Sequence, residues 1–263
     1  MTEIIWTILV SLGGICIGSL LNTVVFRVQK NIPIKERSKC MKCLKPIHWV
    51  DKVPIVSFFN LKGRCRNCSD VISWQYPIIE MTTGILIGLL FVRALFGFGF
   101  FGFEDHTEWL IVFARDAIIA CLLLIIFIYD YKYSIILDRF SVPAIGVAIV
   151  FNVILGASSM EMLLSGLLIG AFFAFQFLVS RGRWVGSGDI RMGLLIGVLF
   201  GAKLGIVALL LSYILGAFAG VFLIVFKKRK LESHVPFGTF MTLAMILTLF
   251  FGEMLVDWYL GML

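Results

Sequence analysis

Two aspartates and four cysteines are the residues of this chain whose types and settings invite chemistry. Asp130 closes an apolar run in "IIFIYDYKYSIILDR", and Asp189 opens another in "VGSGDIRMG" (185–193). A carboxylate at the edge of a membrane-crossing run is costly to place and is a functional candidate for that reason. Two carboxylates brought within a few ångströms share one proton, so one can take a proton from water while the other gives one to an amide. That is the division of labour in aspartic proteolysis. Asp138, eight residues beyond Asp130, competes for the same partnership. A plainer reading makes "GSGD" a helix start, with Asp189 as its cap or as a favourable charge at the positive helix end. Gly186 and Gly188 suit the catalytic reading, since glycine tolerates positive φ and the close approach of another chain.

Rival templates fail on detail. "GSGDIR" lacks the third glycine of GxGxxG, and no GK[ST] follows it. HExxH and GxSxG do not occur, and the chain holds only three histidines, His48, His106 and His234.

The cysteines form two CxxC knuckles, "CMKC" (Cys40, Cys43) and "CRNC" (Cys65, Cys68), with 21 residues between them. Each knuckle offers two sulfurs from one tight turn, and two knuckles complete a tetrahedron around Zn²⁺. Nearby lysines and arginines favour the thiolates. Disulfides do not suit a cytoplasmic face. A redox CxxC would come singly beside a βαβ pattern, and His48 is an alternative fourth ligand. With four protein ligands no position stays open for a catalytic water, so the metal is expected to be structural. Cys16 and Cys121 lie in apolar runs and read as packing residues.

The elements that must position these groups are apolar helices. Of the 263 residues 60% are hydrophobic and 15% charged, too few charges for a water-soluble domain of this length. Runs of about 20 apolar residues recur, each long enough for a ~30 Å hydrocarbon core. The fold class expected is all-α: a polytopic membrane protein of about eight transmembrane helices with a small cytoplasmic four-cysteine zinc-binding loop. The spans fall near 4–26, 76–98, 109–129, 140–155, 160–179, 189–200, 204–226 and 237–259, the fourth and sixth being short. The first is not a secretory signal, because Met-Thr-Glu lacks a basic start.

Residues 27–75 hold 11 of the 23 lysines and arginines against the acids Glu36, Asp51 and Asp70. "KKRK" (227–230) and Arg181, Arg183 and Arg191 fall on the same side when eight spans are threaded, and Glu104, Asp105 and Glu108 fall opposite. The positive-inside bias puts the basic loops in the cytoplasm and both termini outside. The net charge of +7 is then an orientation signal, and no nucleic-acid partner is expected. Within the spans, Arg93, Arg115 and Asp116 read as structural, pairing or snorkelling, while Glu253 and Asp257 read as interfacial.

These residues resemble the bacterial type IV prepilin peptidases, bifunctional leader peptidase/N-methyltransferases of the GxGD aspartyl class. "GSLLNTVVFRV" (18–28) is similar to the family's first-span motif, and "RSKCMKC…VPIVSFFNLKGRCRNCSDVISWQYPIIE" (37–80) to its four-cysteine loop. "YDYKYSIILDR" (129–139), "GSGDIRMG" (186–193) and "VPFGTFM" (235–241) resemble three further family segments in the right order. Leu137 stands where the family often has proline, and Arg191 where it commonly has lysine. The resemblance implies Asp130 and Asp189 as the catalytic pair. It also implies cleavage of pilin-like precursors after a glycine on the cytoplasmic side. Methylation of the new N-terminus, usually a phenylalanine, would follow from S-adenosylmethionine. It places Gly63 in the region linked to methylation and cofactor binding, where the plain reading is a turn glycine before a knuckle. The implied organisation is a first helix at 1–26, a zinc-knuckle, methylation-associated loop at 27–75 and a peptidase domain at 76–263. Prepilin-like precursors and the lipid bilayer are the expected partners, in the cytoplasmic membrane. From another class, a zinc-knuckled transporter or scaffold would use the same aspartates for proton or cation coupling.

Overall fold

The computed structural model describes residues 2–33, 38–40, 42–96, 108–227 and 236–261. Glu36, Glu104, Asp105, His106, His234 and the cations Lys228, Arg229 and Lys230 lie outside the described residues. The described secondary structure is helical, with only two isolated β-bridges outside the helices. In chain order the helices are α1 (Thr2–Gln29), α2 (Val56–Asn60), α3 (Gln75–Leu95), α4 (Glu108–Tyr133), α5 (Asp138–Ile154), α6 (Ser159–Ser180), α7 (Ser187–Lys227) and α8 (Phe237–Leu260). Six of them, α1, α3, α4, α6, α7 and α8, are long and apolar enough to cross a membrane. The protein is a multi-pass membrane protein. Two compact units divide it, Met1–Val92 and Arg93–Leu263.

In the first unit α1 and α3 meet along small residues. A Cβ at Gly14 would lie 3.0 Å from the Gly84 Cα, and one at Gly18 would lie 2.7 Å from the Glu80 Cα. Gly14 and Gly18, with Gly84 and Gly88, give each helix a GxxxG face, which lets two backbones approach in a solvent as apolar as the side chains. Much of the rest of α1 is exposed apolar side chain, suited to lipid, and Cys16 belongs to that face rather than to the packing expected of it. Cys121 is partly covered.

In the second unit, α7 is the element that the eight-span expectation divides in two. Its 41 residues would run about 60 Å as one rod, twice a bilayer core. At Gly201 the backbone takes φ 69° and ψ −171°, breaking the helix where the sixth expected span gives way to the seventh. Counting the 17-residue α5 and the two limbs separately gives eight apolar helical segments, matching the number expected, of which the first limb (187–200) and α5 are the short ones. α6, α5 and α8 pack against α7, and α4 packs against α5 and α8. Ile119, Leu123, Leu195, Ile196, Met241 and Met245 fill the interior between them.

A break at Gly201 leaves the carbonyls of the preceding turn without helical donors. Asn152 of α5 supplies them: its Nδ2 donates to Val198 O (2.9 Å) and Leu199 O (3.2 Å). Its Oδ1 accepts from Arg115 Nη1 at 2.7 Å. Arg115 and Arg93 both pair with Asp116, at 2.8 and 2.7 Å, so these buried charges pair rather than snorkel. Asn152→Ala would leave two carbonyls and a guanidinium N–H without partners. The expected result is a loss of about 2–3 kcal/mol of stability, read as a lower thermal midpoint in detergent with native helix content at low temperature.

Candidate active site and cysteine cluster

Asp130 lies in the last turn of α4, and Asp189 in the first turn of α7. Both line one cavity of ≈ 450 Å³ in the second unit, walled also by Ile136, Gly188, Arg191 and Phe237. Asp130 and Asp189 are 4% and 6% exposed, so each carboxylate is withdrawn from solvent except through that cavity.

Each is held by backbone. Asp130 Oδ2 accepts from Thr239 N (2.5 Å) and Thr239 Oγ1 (2.9 Å), at the start of α8. Asp189 Oδ2 accepts from Gly186 N at 2.8 Å, while Asp189 N donates to Gly186 O at 3.1 Å. The carboxylate, three residues inside the helix, thus reaches back to the N–H of the residue before its start, which is the half of a capping box that a glycine at that position allows. The helix-start reading of "GSGD" is therefore correct as structure, and it engages only one carboxylate oxygen.

The glycines act by closeness rather than by φ. Neither Gly186 nor Gly188 has positive φ. A Cβ at Gly186 would meet only ordinary contacts, but one at Gly188 would lie 2.7 Å from Ile136 Cβ. A Cβ at Gly238 would lie 2.6 Å from Ile136 Cδ1 and 2.9 Å from Asp130 Oδ2. Ile136, in the α4–α5 connection, thus fills the space between the starts of α7 and α8, and both glycines make room for it. Gly238→Ala is expected to lower activity at this site at least tenfold by forcing Ile136 or Asp130 aside, checked by initial rates against a thermal melt.

Asp138 takes no part in the cavity lining. Its exposed carboxylate pairs with Arg191. Glu253 pairs with Lys203 at 3.4 Å. The residues that sequence reasoning overlooked are Thr239 and Ile136. "VPFGTFM" was a recognisable segment, but nothing in it says which carboxylate its threonine serves.

The cysteines form a second constellation, within the first unit. The Sγ atoms of Cys40, Cys43, Cys65 and Cys68 all lie within 4.8 Å of one another, and this group could bind a metal. Cys40 and Cys68 Sγ are 3.7 Å apart, close to the edge of about 3.8 Å that a tetrahedron with 2.3 Å zinc–sulfur bonds requires. The two knuckles repeat one design. Cys40 N donates to Lys45 O and Cys65 N to Asp70 O; Leu44 N donates to Cys40 O and Ser69 N to Cys65 O. Leu44 and Ser69, each following a knuckle's second cysteine, have φ 57° and 58°. Backbone N–H groups of Cys43 and Lys42 bring the Cys40 thiol down to about 6. Despite the Asp70 N–H, burial and three neighbouring sulfurs push Cys68 up to about 12. Four thiols this close cannot all ionise without a cation among them, which is the condition a divalent metal meets. Lys42–Asp70 (2.9 Å) ties one knuckle to the other. His48 is not in the cluster; it precedes the short 3₁₀ turn Trp49–Lys52.

Gly63 has φ +67° and a backbone role. Its N–H donates to Phe58 O (2.8 Å), its carbonyl accepts from Ile72 N (2.7 Å), and a Cβ would meet the Phe58 ring at 3.2 Å. Ser38 holds the equivalent position in the first knuckle, accepting from Ile47 N.

Comparison with known proteins now has a geometry to meet. Residues 12–94 match the Bacterial Peptidase A24 N-terminal domain, and residues 117–221 match the Type IV leader peptidase family. The four cysteines and Gly63 fall in the first match, and both aspartates in the second. The chain is similar to the prepilin leader peptidase/N-methyltransferase of Aeromonas hydrophila, at 28% identity over 85% of this chain and 74% of that relative. It is similar to those of Bacillus subtilis (27%; 95% and 96%) and Vibrio cholerae (27%; 94% and 98%). No solved structure matches it.

Proposed function

The chain belongs to the type IV leader peptidase family, and from that premise we propose that it is a membrane aspartyl endopeptidase that removes the leader of prepilin-like precursors and then N-methylates the new N-terminus. Asp130 and Asp189 are its catalytic pair. The observation that carries this reading is their convergence from separate helices, α4 and α7, onto one cavity at helix ends. The family match leaves the transporter alternative without support.

The chemistry follows from the hydrogen bonds. Thr239 occupies Asp130 Oδ2 and Gly186 occupies Asp189 Oδ2, so each carboxylate keeps its second oxygen for water or substrate. One carboxylate takes a proton from water as the water oxygen attacks the scissile carbonyl. Its partner hands a proton to the amide, and collapse of the tetrahedral intermediate releases the leader.

Orientation follows the positive-inside bias: basic loops in the cytoplasm, termini outside, the chain in the cytoplasmic membrane. Residues 27–75 serve as the methylation-associated module, and the peptidase pair lies within 76–263. The metal is zinc, held by Cys40, Cys43, Cys65 and Cys68; with four protein ligands it stabilises the loop and leaves catalysis to side chains. S-adenosylmethionine is the methyl donor, and Gly63 shapes the module that uses it.

The test is intact mass spectrometry of a prepilin-like precursor incubated with the purified protein and S-adenosylmethionine. The expected product lacks the leader and carries one added methyl group. A precursor left whole by folded, zinc-loaded protein would refute the reading. Thr239→Val, which removes one of two donors to Asp130, is expected to slow leader removal roughly tenfold or more, in line with about 1.5–3 kcal/mol for a hydrogen bond to a charged group.

A further inference from the structure

The first unit contains a buried cluster of acceptors that the peptidase chemistry does not use. Asn22 of α1 is 2% exposed and Glu80 of α3 is 5% exposed. They are neighbours along the α1–α3 seam. Gly18 packs on Glu80; one turn along, Asn22 Nδ2 donates to Tyr76 O at 3.1 Å. The other end of the Asn22 amide, Oδ1, is buried with no hydrogen-bond partner. A buried acceptor left without a donor calls for a reason.

Glu80 adds a carboxylate whose donors are neutral groups. Its Oε2 accepts from Ile55 N at 2.7 Å, and the Ser19 hydroxyl donates to it as well. The Ile55 contact is strained. Ile55 has φ 60° and ψ −56°, and Val56 N reaches back to Pro54 O. This is a γ-turn at positive φ, rare for any residue and a marked outlier for a β-branched one. The backbone over Glu80 is thus held in a conformation that a competing donor would let relax.

We infer that Asn22 and Glu80 form the amine site of the methyl-transfer reaction, binding the α-ammonium of the freshly cut N-terminus, an inference that rests on the N-methyltransferase reading above. An amide oxygen and a carboxylate complement a group that carries several N–H donors and one positive charge. In this site the ammonium displaces the Ile55 N–H, donates to Asn22 Oδ1 and faces Glu80. Glu80 takes one proton, which frees the nitrogen lone pair. Nitrogen then bonds to the methyl carbon of S-adenosylmethionine as the carbon–sulfur bond breaks, and that electron pair stays on sulfur, which becomes a neutral thioether. The product is a methylammonium, and Glu80 returns its proton to water.

The test uses the full-length protein in detergent with a synthetic, already cut pilin-like peptide, so methyl transfer is read without cleavage. Leader removal from intact precursor, which belongs to the aspartates, reports that each variant is folded. Glu80→Gln should lower methyl transfer about 100-fold near neutral pH. Its deficit should shrink as pH rises past about 8, where the α-amino group loses its proton to bulk water. Asn22→Ala should raise KM for the peptide about tenfold with a smaller effect on kcat. Equilibrium dialysis with radiolabelled S-adenosylmethionine should show unchanged donor binding in both. Loss of donor binding would overturn the proposal by assigning the cluster to the donor, and wild-type methyl transfer by Glu80→Gln at every pH would overturn it outright. Wild-type protein that removes leaders but methylates nothing would overturn the methyltransferase reading along with it.

Discussion

Leader removal falls about 10³-fold or more in both Asp130→Asn and Asp189→Asn, while helix content and thermal midpoint stay near wild type. The separation of chemistry from structure is what makes these variants informative. Asparagine keeps the carboxylate's shape and one acceptor oxygen. At position 189 that oxygen can still accept from Gly186 N, so that hydrogen bond and the start of α7 survive. At position 130 it can still accept both Thr239 donors. What asparagine cannot do is take a proton from water or carry one to an amide. Asp189→Ala would confuse the two effects, because it also removes the acceptor for Gly186 N, worth about 1–3 kcal/mol. Asp138→Asn is the matched control. Its own carboxylate is exposed and outside the cavity lining, though its partner Arg191 is only 25% exposed, so its rate should stay within a few-fold of wild type. Loss of cleavage in Asp138→Asn, with Asp130→Asn still active, would move the catalytic assignment eight residues along the chain.

Sequence reasoning reached the membrane helices and both constellations because each leaves a local mark. A crossing helix needs about 20 apolar residues in succession, and a carboxylate among them stands out by its cost. Two CxxC knuckles carry their ligand geometry in their spacing. The features it missed are all meetings between distant parts of the chain. Thr239 reaches Asp130 across 109 residues, and its donors are a backbone N–H and a hydroxyl found in many helices. Ile136 is one apolar residue among many until Gly188 and Gly238 are seen to open space on either side of it. Asn152 looks like an isolated polar residue in a span, yet it completes a helix broken 49 residues later at Gly201. Gly186 and Gly188 were expected to serve through positive φ and the close approach of another chain; neither takes positive φ, and only Gly188 is closely approached, by the Ile136 side chain. Leu44 and Ser69 carry the same lesson, for neither residue type announces a left-handed conformation. The knuckle's hydrogen bonds impose it on both.

Removing the metal should have an effect as large as removing a catalytic aspartate, through folding rather than bond chemistry. The described residues of 38–72 form one five-residue helix, one short 3₁₀ turn and two isolated bridges, with few buried apolar side chains besides Phe58. Such a segment has little apolar burial to offset the conformational entropy of its order. Its ion pairs, Lys42–Asp70 and Arg66–Asp51, involve exposed basic side chains, where solvent screening leaves little net stabilisation. Zinc binding to four thiolates is of a different size, about 10–16 kcal/mol in small zinc modules at pH 7. Purified protein should therefore contain one zinc per chain. A strong chelator should extract it with a rise in protease sensitivity in this loop, while helices α7 and α8 stay protected. Cys65→Ser should reproduce that pattern without chelator. Methyl transfer should be lost in both cases, since Gly63 and the module around it owe their positions to the same loop. Re-addition of zinc should restore the chelated protein but not Cys65→Ser. A metal-free loop that resists protease like the loaded one would remove zinc from the account of this fold, leaving four thiols in close approach with no cation to explain them.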